Sequence, residues 1–176
     1  LLVAAIAKTL GLSASQIKEG TADFSGVKRR EEVRYDKNGI LVLEDFAHHP
    51  TAVATTLAGF KERYPEKRLI AVFEARSNTS RRHFFQEAYA KSFKSADLAI
   101  LLEVNTDGIY SGTGSDLKAL DMEKLTSDIE IPAKSFAEVS QIKDFLLSEV
   151  KENDLIVFMS NGDFQGLVSD FIELLN

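Results

Sequence analysis

The chain has 176 residues, of which 44% are hydrophobic and 27% are charged, and it contains no cysteine. This composition is typical of a globular protein, and the lack of cysteine excludes disulfides, thiol nucleophiles and thiolate metal sites. A formal net charge of −6 disfavours a nucleic-acid-binding surface. The opening segment LLVAAIAKTL is too short to cross a bilayer and has no basic segment before it, so the sequence predicts neither a membrane span nor a signal peptide.

Two short helices are predicted at the start of the chain. The first is LLVAAIAKTLG, with Gly11 near its C-terminal end, and the second is SASQIKEG, with Ser13 as its N-cap. Because these helices begin abruptly and no initiating methionine precedes them, we expect the chain to be part of a longer protein.

A β-hairpin is predicted next, in the segment GVKRREEVRYDKNGILVLEDF. Asn38-Gly39 is a favoured two-residue hairpin turn. Before it, Val33 and Tyr35 alternate with charged residues, which is typical of a half-buried strand.

Strands and helices then alternate along the rest of the chain. Buried strands are predicted at RLIAVFEA, DLAILLEV and DLIVFMS, and a brief strand at IPAKSF. Helices are predicted from Pro50, and within RRHFFQEAYAKSFKSA, AEVSQIKDFLLSEV and DFQGLVSDFIELL. The segment NTDGIYSGTGSDLKAL is rich in Gly, Ser and Thr, which predicts an exposed loop leading into a short helix.

This alternation predicts an α/β fold in which a doubly wound, mostly parallel sheet follows the hairpin and is covered on both faces. Ligands of such sheets bind beyond the carboxyl ends of the strands. Three turns qualify: the first turn (EDFAHHP, 44–50), the arginine turn (EARSNTSRR, 74–82) and the glycine turn (SNGDFQG, 160–166). We expect them to lie along one edge of the sheet.

The first turn combines an aspartate with a histidine pair. Asp45 can accept hydrogen bonds from a ribose, and His48 and His49 can donate to a phosphate or bind a metal. The alternative is that Asp45 caps the helix beginning near Pro50 while one histidine packs against the sheet. A metal site has less support, because no other histidine or acidic cluster lies at ligand spacing.

The arginine turn carries three arginines among Ser, Asn and Thr residues, where a strand gives way to a helix. Guanidinium groups near a helix N-terminus predict an anion site. The alternative is a solvated basic turn in which Asn, Thr or Ser serves as an N-cap. In the glycine turn, Gly162 permits close backbone approach. No G-x-x-x-x-G-K-[ST] phosphate loop occurs in the sequence, so the chain cannot by itself hold and activate a triphosphate in that manner. The sequence also contains no Ser-His-Asp set in a nucleophile elbow.

Four segments in this order resemble the C-terminal part of the Mur ligases: FSGVKRREEV, EDFAHHPTAVATTLAGF, LIAVFEARSNTSRRHFFQ and MSNGDFQGL. The first turn is similar to that of the muramate–alanine ligases. The motif RSNTSRR is more discriminating and resembles the murein peptide ligase branch, in which proline stands at the position of Ala75. The resemblance covers nearly the whole chain apart from the diverged segment 105–121.

The resemblance implies a cytoplasmic enzyme of peptidoglycan recycling. With ATP and Mg²⁺, such an enzyme joins the murein tripeptide L-Ala-γ-D-Glu-meso-diaminopimelate to UDP-N-acetylmuramate. Residues 1–27 would be the terminal helices of the preceding ATPase domain, and residues 28–176 the Rossmann-like acceptor-binding C-terminal domain. ATP and Mg²⁺ would be bound mainly by the central domain, so we expect this chain alone to be inactive. Its partners would be its own N-terminal and central domains, without nucleic acid or membrane.

The resemblance also implies roles for individual residues, and it assigns no catalytic or metal-binding residue to this chain. Three alternatives remain open: another Mur or folylpolyglutamate-type ligase, a stand-alone anion-binding α/β module, and a metal-dependent phosphoesterase built on the histidine pair. The implied nucleotide-binding residues are Arg30, Asp45 and His48, and the implied acceptor-binding residues are Arg76, Asn78, Thr79, Arg81, Arg82, Ser160 and Asn161.

Overall fold

The computed structural model describes residues 2–24, 26–104 and 118–176. The helices in this part are α1 (Leu2–Thr9), α2 (Ala14–Ala22), α3 (Pro50–Arg63), α4 (Gln86–Ser92), α5 (Met122–Asp128), α6 (Val139–Glu149) and α7 (Leu167–Leu175). The strands are β1 (Glu32–Lys37), β2 (Ile40–Asp45), β3 (Arg68–Glu74), β4 (Leu98–Leu102), β5 (Ala133–Phe136) and β6 (Asp154–Met159).

The six strands form one sheet in the order β1-β2-β6-β3-β4-β5, in which every neighbouring pair is parallel except β1 with β2. A hydrophobic core lies on each face. Phe73 of β3 packs with residues from α3, α4 and α5 on one face, and Phe158 of β6 packs with residues from α6 and α7 on the other. The predicted doubly wound, mostly parallel α/β fold is therefore confirmed.

The hairpin is also confirmed. Asn38 and Gly39 both have positive φ, 53° and 74°, as the tight turn requires. Val33 and Tyr35 do not share one face of the strand, as the predicted alternation with charged residues requires, because a β-bulge between them shifts the register. The bulge places Tyr35 in the core beside α6 and α7 and leaves Val33 56% exposed.

Two helices begin later than predicted. The arginine turn continues to Arg82, and a 3₁₀ turn at His83–Phe85 precedes α4. The backbone N–H of His83 donates to the carbonyl of Lys118 at 2.8 Å, which holds this segment out of a regular helix. A second 3₁₀ turn at Phe164–Gly166 precedes α7. The predicted exposed loop lies mostly outside the described residues, and the short helix expected after it is α5.

The two N-terminal helices lie outside both cores. Neither α1 nor α2 contains a buried residue. Ser13 is the N-cap of α2, as predicted, and accepts a hydrogen bond from the backbone N–H of Gln16 at 3.3 Å. Among the helices that the structure describes, none combines the length and apolar character needed to traverse a membrane.

Candidate functional site

The three predicted turns meet at the carboxyl edge of the sheet. Since β6 lies between β2 and β3 and runs parallel to both, all three strands end at the same edge. The Ser160 N–H donates to the carbonyl of Asp45 at 3.2 Å, and the Ser160 hydroxyl donates to the Glu74 carboxylate. The prediction that the turns share one edge is confirmed.

Asp45 joins the first turn to the segment that leads into the hairpin. Its Oδ1 accepts from the N–H of Ala47 at 2.8 Å, and its Oδ2 accepts from the N–H of Glu31 at 3.0 Å. The N-cap of α3 is His49, which makes no side-chain cap bond, so the helix-capping alternative for Asp45 is wrong. Both carboxylate oxygens of Asp45 instead accept from amides outside α3.

Phe46 brings two of the predicted nucleotide-binding residues together. The Arg30 guanidinium lies 5.1 Å from the Phe46 ring centre, and the His48 ring packs edge-on against Phe46 at 5.4 Å. The His48 Nδ1 lies 2.9 Å from the Phe46 carbonyl oxygen. A carbonyl can only accept, so the His48 Nδ1–H is the donor of this hydrogen bond. Phe46 was not predicted as a site residue, although its position directly after the strand-end aspartate is a signal for one.

The second histidine of the pair packs on an aromatic cluster. The exposed His49 ring meets Phe85 edge-on at 4.8 Å, so it does not pack against the sheet. The Tyr89 hydroxyl donates to the His48 carbonyl, and burial raises the pKa of Tyr89. The hydrogen bond from Tyr89 and the ring contact with Phe85 therefore hold the first turn in place.

The arginine turn is organised around Asn78. Its Oδ1 accepts from Arg81 Nη2 at 2.7 Å, and its carbonyl accepts from Arg82 Nε at 3.2 Å. Thr79 lies exposed in the same turn. The N-cap of α4 is Phe85, so the alternative in which Asn, Thr or Ser caps this helix is wrong.

Arg76 reaches across to the glycine turn. Its Nη1 lies 2.8 Å from Asp163 Oδ1, and the Arg76 hydrogen bond lowers the pKa of Asp163. No local sequence pattern indicates this pair, because the two side chains belong to turns that follow different strands.

A cleft of about 370 Å³ opens beside the arginine turn, beyond the ends of β3 and β4. Arg76 and Arg81 line it together with Glu74 and Gln165. Its volume lies within the range of about 300–1,000 Å³ that is usual for ligand sites. The walls carry both signs of charge, which suits a ligand with carboxylate and ammonium groups. Arg82 belongs to the same turn but is not among the residues that line this cleft.

Ser160 supports the wall of the cleft from inside. It is 1% exposed, and its Oγ donates to Glu74 while accepting from the Gly162 N–H at 2.7 Å. The Arg29 Nη2 donates to the Ser160 carbonyl at 2.8 Å. The half-buried Asn161 follows Ser160, and its Oδ1 is enclosed without a hydrogen-bond partner in the described structure. Direct contact of Ser160 and Asn161 with an acceptor stays a prediction, as do the other assigned residue roles.

Five of the predicted residues therefore form two groups at this edge of the sheet. Arg30, Asp45 and His48 gather around Phe46, and Arg76 and Arg81 line the cleft. Within the described ranges, no group of three or more histidine, aspartate or glutamate residues is arranged to hold a metal ion.

The Mur ligase, glutamate ligase domain family matches residues 29–162. The chain is 33% identical over 181 aligned residues to the UDP-N-acetylmuramate–L-alanine ligase of Desulforapulum autotrophicum, covering 99% of this chain and 38% of that protein. A murein peptide ligase from Psychrobacter arcticus is 32% identical, with a TM-score of 0.70 over 98% of this chain and 35% of that one. The UDP-N-acetylmuramate–alanine ligase of Thermotoga maritima shares the fold, with 22% identity and a TM-score of 0.76 over 98% of this chain and 36% of that one.

This chain thus spans little more than a third of the length of these relatives. The family match covers more than half of the chain, including the first turn, the arginine turn and the start of the glycine turn. The chain therefore belongs to the Mur ligase family and matches that family's glutamate ligase domain.

Proposed function

We propose that this chain is the acceptor-binding domain of an ATP-dependent ligase that joins L-Ala-γ-D-Glu-meso-diaminopimelate to UDP-N-acetylmuramate in peptidoglycan recycling in the cytoplasm. The observation that carries the proposal is the cleft at the sheet edge, lined by Arg76 and Arg81. The tripeptide has three carboxylates, and arginine forks suit carboxylates. The likeness to the murein peptide ligase of Psychrobacter arcticus supports this acceptor.

A second candidate acceptor is L-alanine. The relative from Desulforapulum autotrophicum, at 33% identity, is a UDP-N-acetylmuramate–L-alanine ligase. L-alanine has one carboxylate and a methyl side chain, so it would leave much of a cleft of about 370 Å³ unfilled. The two arginines that line the cleft, and the size of the cleft, favour the tripeptide, which is longer and more anionic than L-alanine.

We also propose that residues 1–27 are the terminal helices of a preceding ATPase domain, and that this domain holds most of the ATP and Mg²⁺ contacts. Two observations support this division: α1 and α2 contain no buried residue, and the family match begins at residue 29. Leu2, Ile6 and Leu10 are 75%, 51% and 75% exposed, as expected of apolar side chains that pack against the rest of that ATPase domain.

In the proposed ligase, the group around Phe46 faces the nucleotide. Arg30 supplies positive charge for a phosphate group, and His48 faces the junction where the nucleotide and the acceptor meet. Asp45 accepts from two backbone amides, which leaves each of its oxygens a second lone pair for the ribose hydroxyls. The arginine and glycine turns hold the acceptor, with Asn78, Thr79, Arg82 and Asn161 around Arg76 and Arg81. ATP with Mg²⁺ would activate the sugar carboxylate for attack by the acceptor amine.

The test is ligation by the complete ligase with UDP-N-acetylmuramate and ATP, with the tripeptide and L-alanine as separate acceptors. We expect a product whose mass corresponds to UDP-N-acetylmuramate joined to the tripeptide. We also expect a higher kcat/KM for the tripeptide than for L-alanine. A higher kcat/KM for L-alanine would establish the second candidate instead. Product formation by residues 1–176 alone would contradict the division of labour between domains.

A further inference from the structure

The most enclosed charged group in the cleft wall is the carboxylate of Glu74. Glu74 ends β3, is 7% exposed, and lines the cleft beside Arg76 and Arg81. Its only hydrogen-bond donor in the described structure is the Ser160 hydroxyl. The ion pairs within 4.0 Å that join described residues do not include Glu74.

A carboxylate buried to this extent is costly unless a positive group or several donors compensate its charge. The other enclosed carboxylates at this edge of the sheet are compensated in that way. Glu44, which is 6% exposed, pairs with both Arg29 and Arg34, and Asp45 accepts from two backbone amides. Glu74 differs from them because a single neutral hydroxyl meets it, at the wall of an open cleft.

The surroundings hold this carboxylate in a fixed position. The Gly162 N–H orients the Ser160 hydroxyl toward Glu74, and the Ser160 backbone is held by Arg29 on one side and by Asp45 on the other. A charged group fixed in this way and facing a cleft is preorganised for a cationic ligand group.

We infer that Glu74 binds the ammonium group at the alanyl end of the acceptor before this amine loses its proton and attacks, while Arg76 and Arg81 bind the acceptor carboxylates. The inference rests on the proposed function, because it requires the cleft to be the acceptor site. It applies to both candidate acceptors, since the tripeptide and L-alanine share an alanyl ammonium. Glu74 would therefore select acceptors with a free amino terminus.

The test is an NMR titration of this chain with two probes: the tripeptide, and the same tripeptide acetylated only on the alanyl nitrogen. Wild type, Glu74→Gln and Glu103→Gln are compared. Glutamine keeps an oxygen that accepts from Ser160 and removes the charge, and Glu103 is an exposed carboxylate lining the same cleft, which makes it a matched control.

We expect wild type and Glu103→Gln to bind the free tripeptide at least tenfold more tightly than the acetylated one. Glu74→Gln is expected to bind both probes with equal affinity, at the level of the acetylated probe on wild type. A merely structural role would weaken both probes together, and that result would overturn the inference, as would an unchanged preference in Glu74→Gln. Failure of wild type to bind either probe would overturn the proposed tripeptide site itself, and the inference with it.

Discussion

The Arg76 side chain lies directly over the Cα of Gly162. A Cβ added at Gly162 would stand 2.3 Å from both Cδ and Nη1 of Arg76, closer than any real contact allows. The glycine turn therefore gives Arg76 the space to cross from one turn to the next and reach Asp163. The need for glycine at this position is steric, because Gly162 is not among the glycines with positive φ.

Replacing Gly162 with alanine should move Arg76 out of its present position. The clashing atoms belong to the flexible end of a side chain, so we expect the free energy of unfolding to fall by less than about 1 kcal/mol. The Arg76–Asp163 contact should be lost, and tripeptide affinity should drop. Urea unfolding and NMR titration would measure the two effects.

Gly59→Ala is the matched control for that experiment. An added Cβ at Gly59 meets no atom within 4 Å, and the residue lies inside α3. Alanine there should stabilise the helix by roughly 0.5–1 kcal/mol and leave tripeptide affinity unchanged. Equal affinities for the tripeptide in Gly162→Ala and Gly59→Ala would show that the position of Arg76 does not affect binding.

The Arg76–Asp163 pair should titrate in the acidic range. The Arg76 hydrogen bond lowers the pKa of Asp163 below its ordinary value. The pair's small contribution to stability is therefore present above the unfolded-state pKa of about 3.9 and is lost as the pH falls through the lower folded-state value. Arg76→Gln should raise the titration midpoint of the Asp163 carboxyl carbon, followed by NMR.

Asp97 provides the internal reference for the Arg76→Gln titration. Burial pushes the pKa of Asp97 upward, but hydrogen bonds from Lys61 and the Leu69 amide lower it overall. These groups belong to the opposite end of β3, so the Asp97 midpoint should be the same in wild type and Arg76→Gln. A shift of both midpoints would indicate a general structural change instead of the loss of one ion pair.

At the other end of the sheet, Asp154 should be important for stability. It is fully buried, and its carboxylate accepts from Arg68 Nε and Nη2, both at 2.8 Å. These contacts raise the pKa of Arg68. Asp154→Ala leaves the Arg68 guanidinium without its main partner, and we expect a loss of about 3–5 kcal/mol in the free energy of unfolding by urea.

The control for Asp154→Ala is Asp128→Ala, which removes a pair on the surface of α5. Asp128 lies 2.7 Å from the exposed Lys124 within the same helix. Exposed ion pairs of this kind contribute little to the free energy of unfolding. A similar decrease in the free energy of unfolding in the two variants would mean that the buried Asp154–Arg68 pair stabilises the fold no more than a surface pair does.

Arg81→Ala in the complete ligase should raise the KM for the tripeptide by about thirtyfold, corresponding to roughly 2 kcal/mol, if Arg81 meets a carboxylate in the cleft. The KM for ATP should stay close to the wild-type value. Steady-state kinetics with each substrate varied in turn would measure both. The exposed Lys94→Ala is the charge-matched control. Equal increases in the two KM values would contradict the acceptor role of Arg81.

The sequence was sufficient to predict that the three turns share one edge, because buried runs such as RLIAVFEA and DLIVFMS indicate parallel strands. Parallel strands place their carboxyl ends together whatever their order. The contact between Glu74 and Ser160 could not be predicted, because it requires β6 to lie beside β3. No local pattern specifies that neighbour.

Helix starts were a separate source of error. The apolar spacing of Phe85, Tyr89 and Phe93 favours a helix that includes the preceding arginines. In the structure, the backbone of His83 instead pairs with Lys118, a contact between distant parts of the chain that overrides local periodicity. Phe46 was missed for a related reason, since its contact with Arg30 depends on how the hairpin returns to the first turn.

The central place of β6 has a consequence for synthesis of the chain. β2 and β3 are consecutive strands, yet neither bonds to the other, and each pairs with β6. Until the ribosome has made residues 154–159, β2 of the hairpin and β3 of the β3–β4–β5 unit each expose the edge that β6 covers in the complete sheet. Such edges invite pairing with other chains. The nascent protein is therefore most vulnerable to aggregation until β6 emerges and joins the two halves in a single late step.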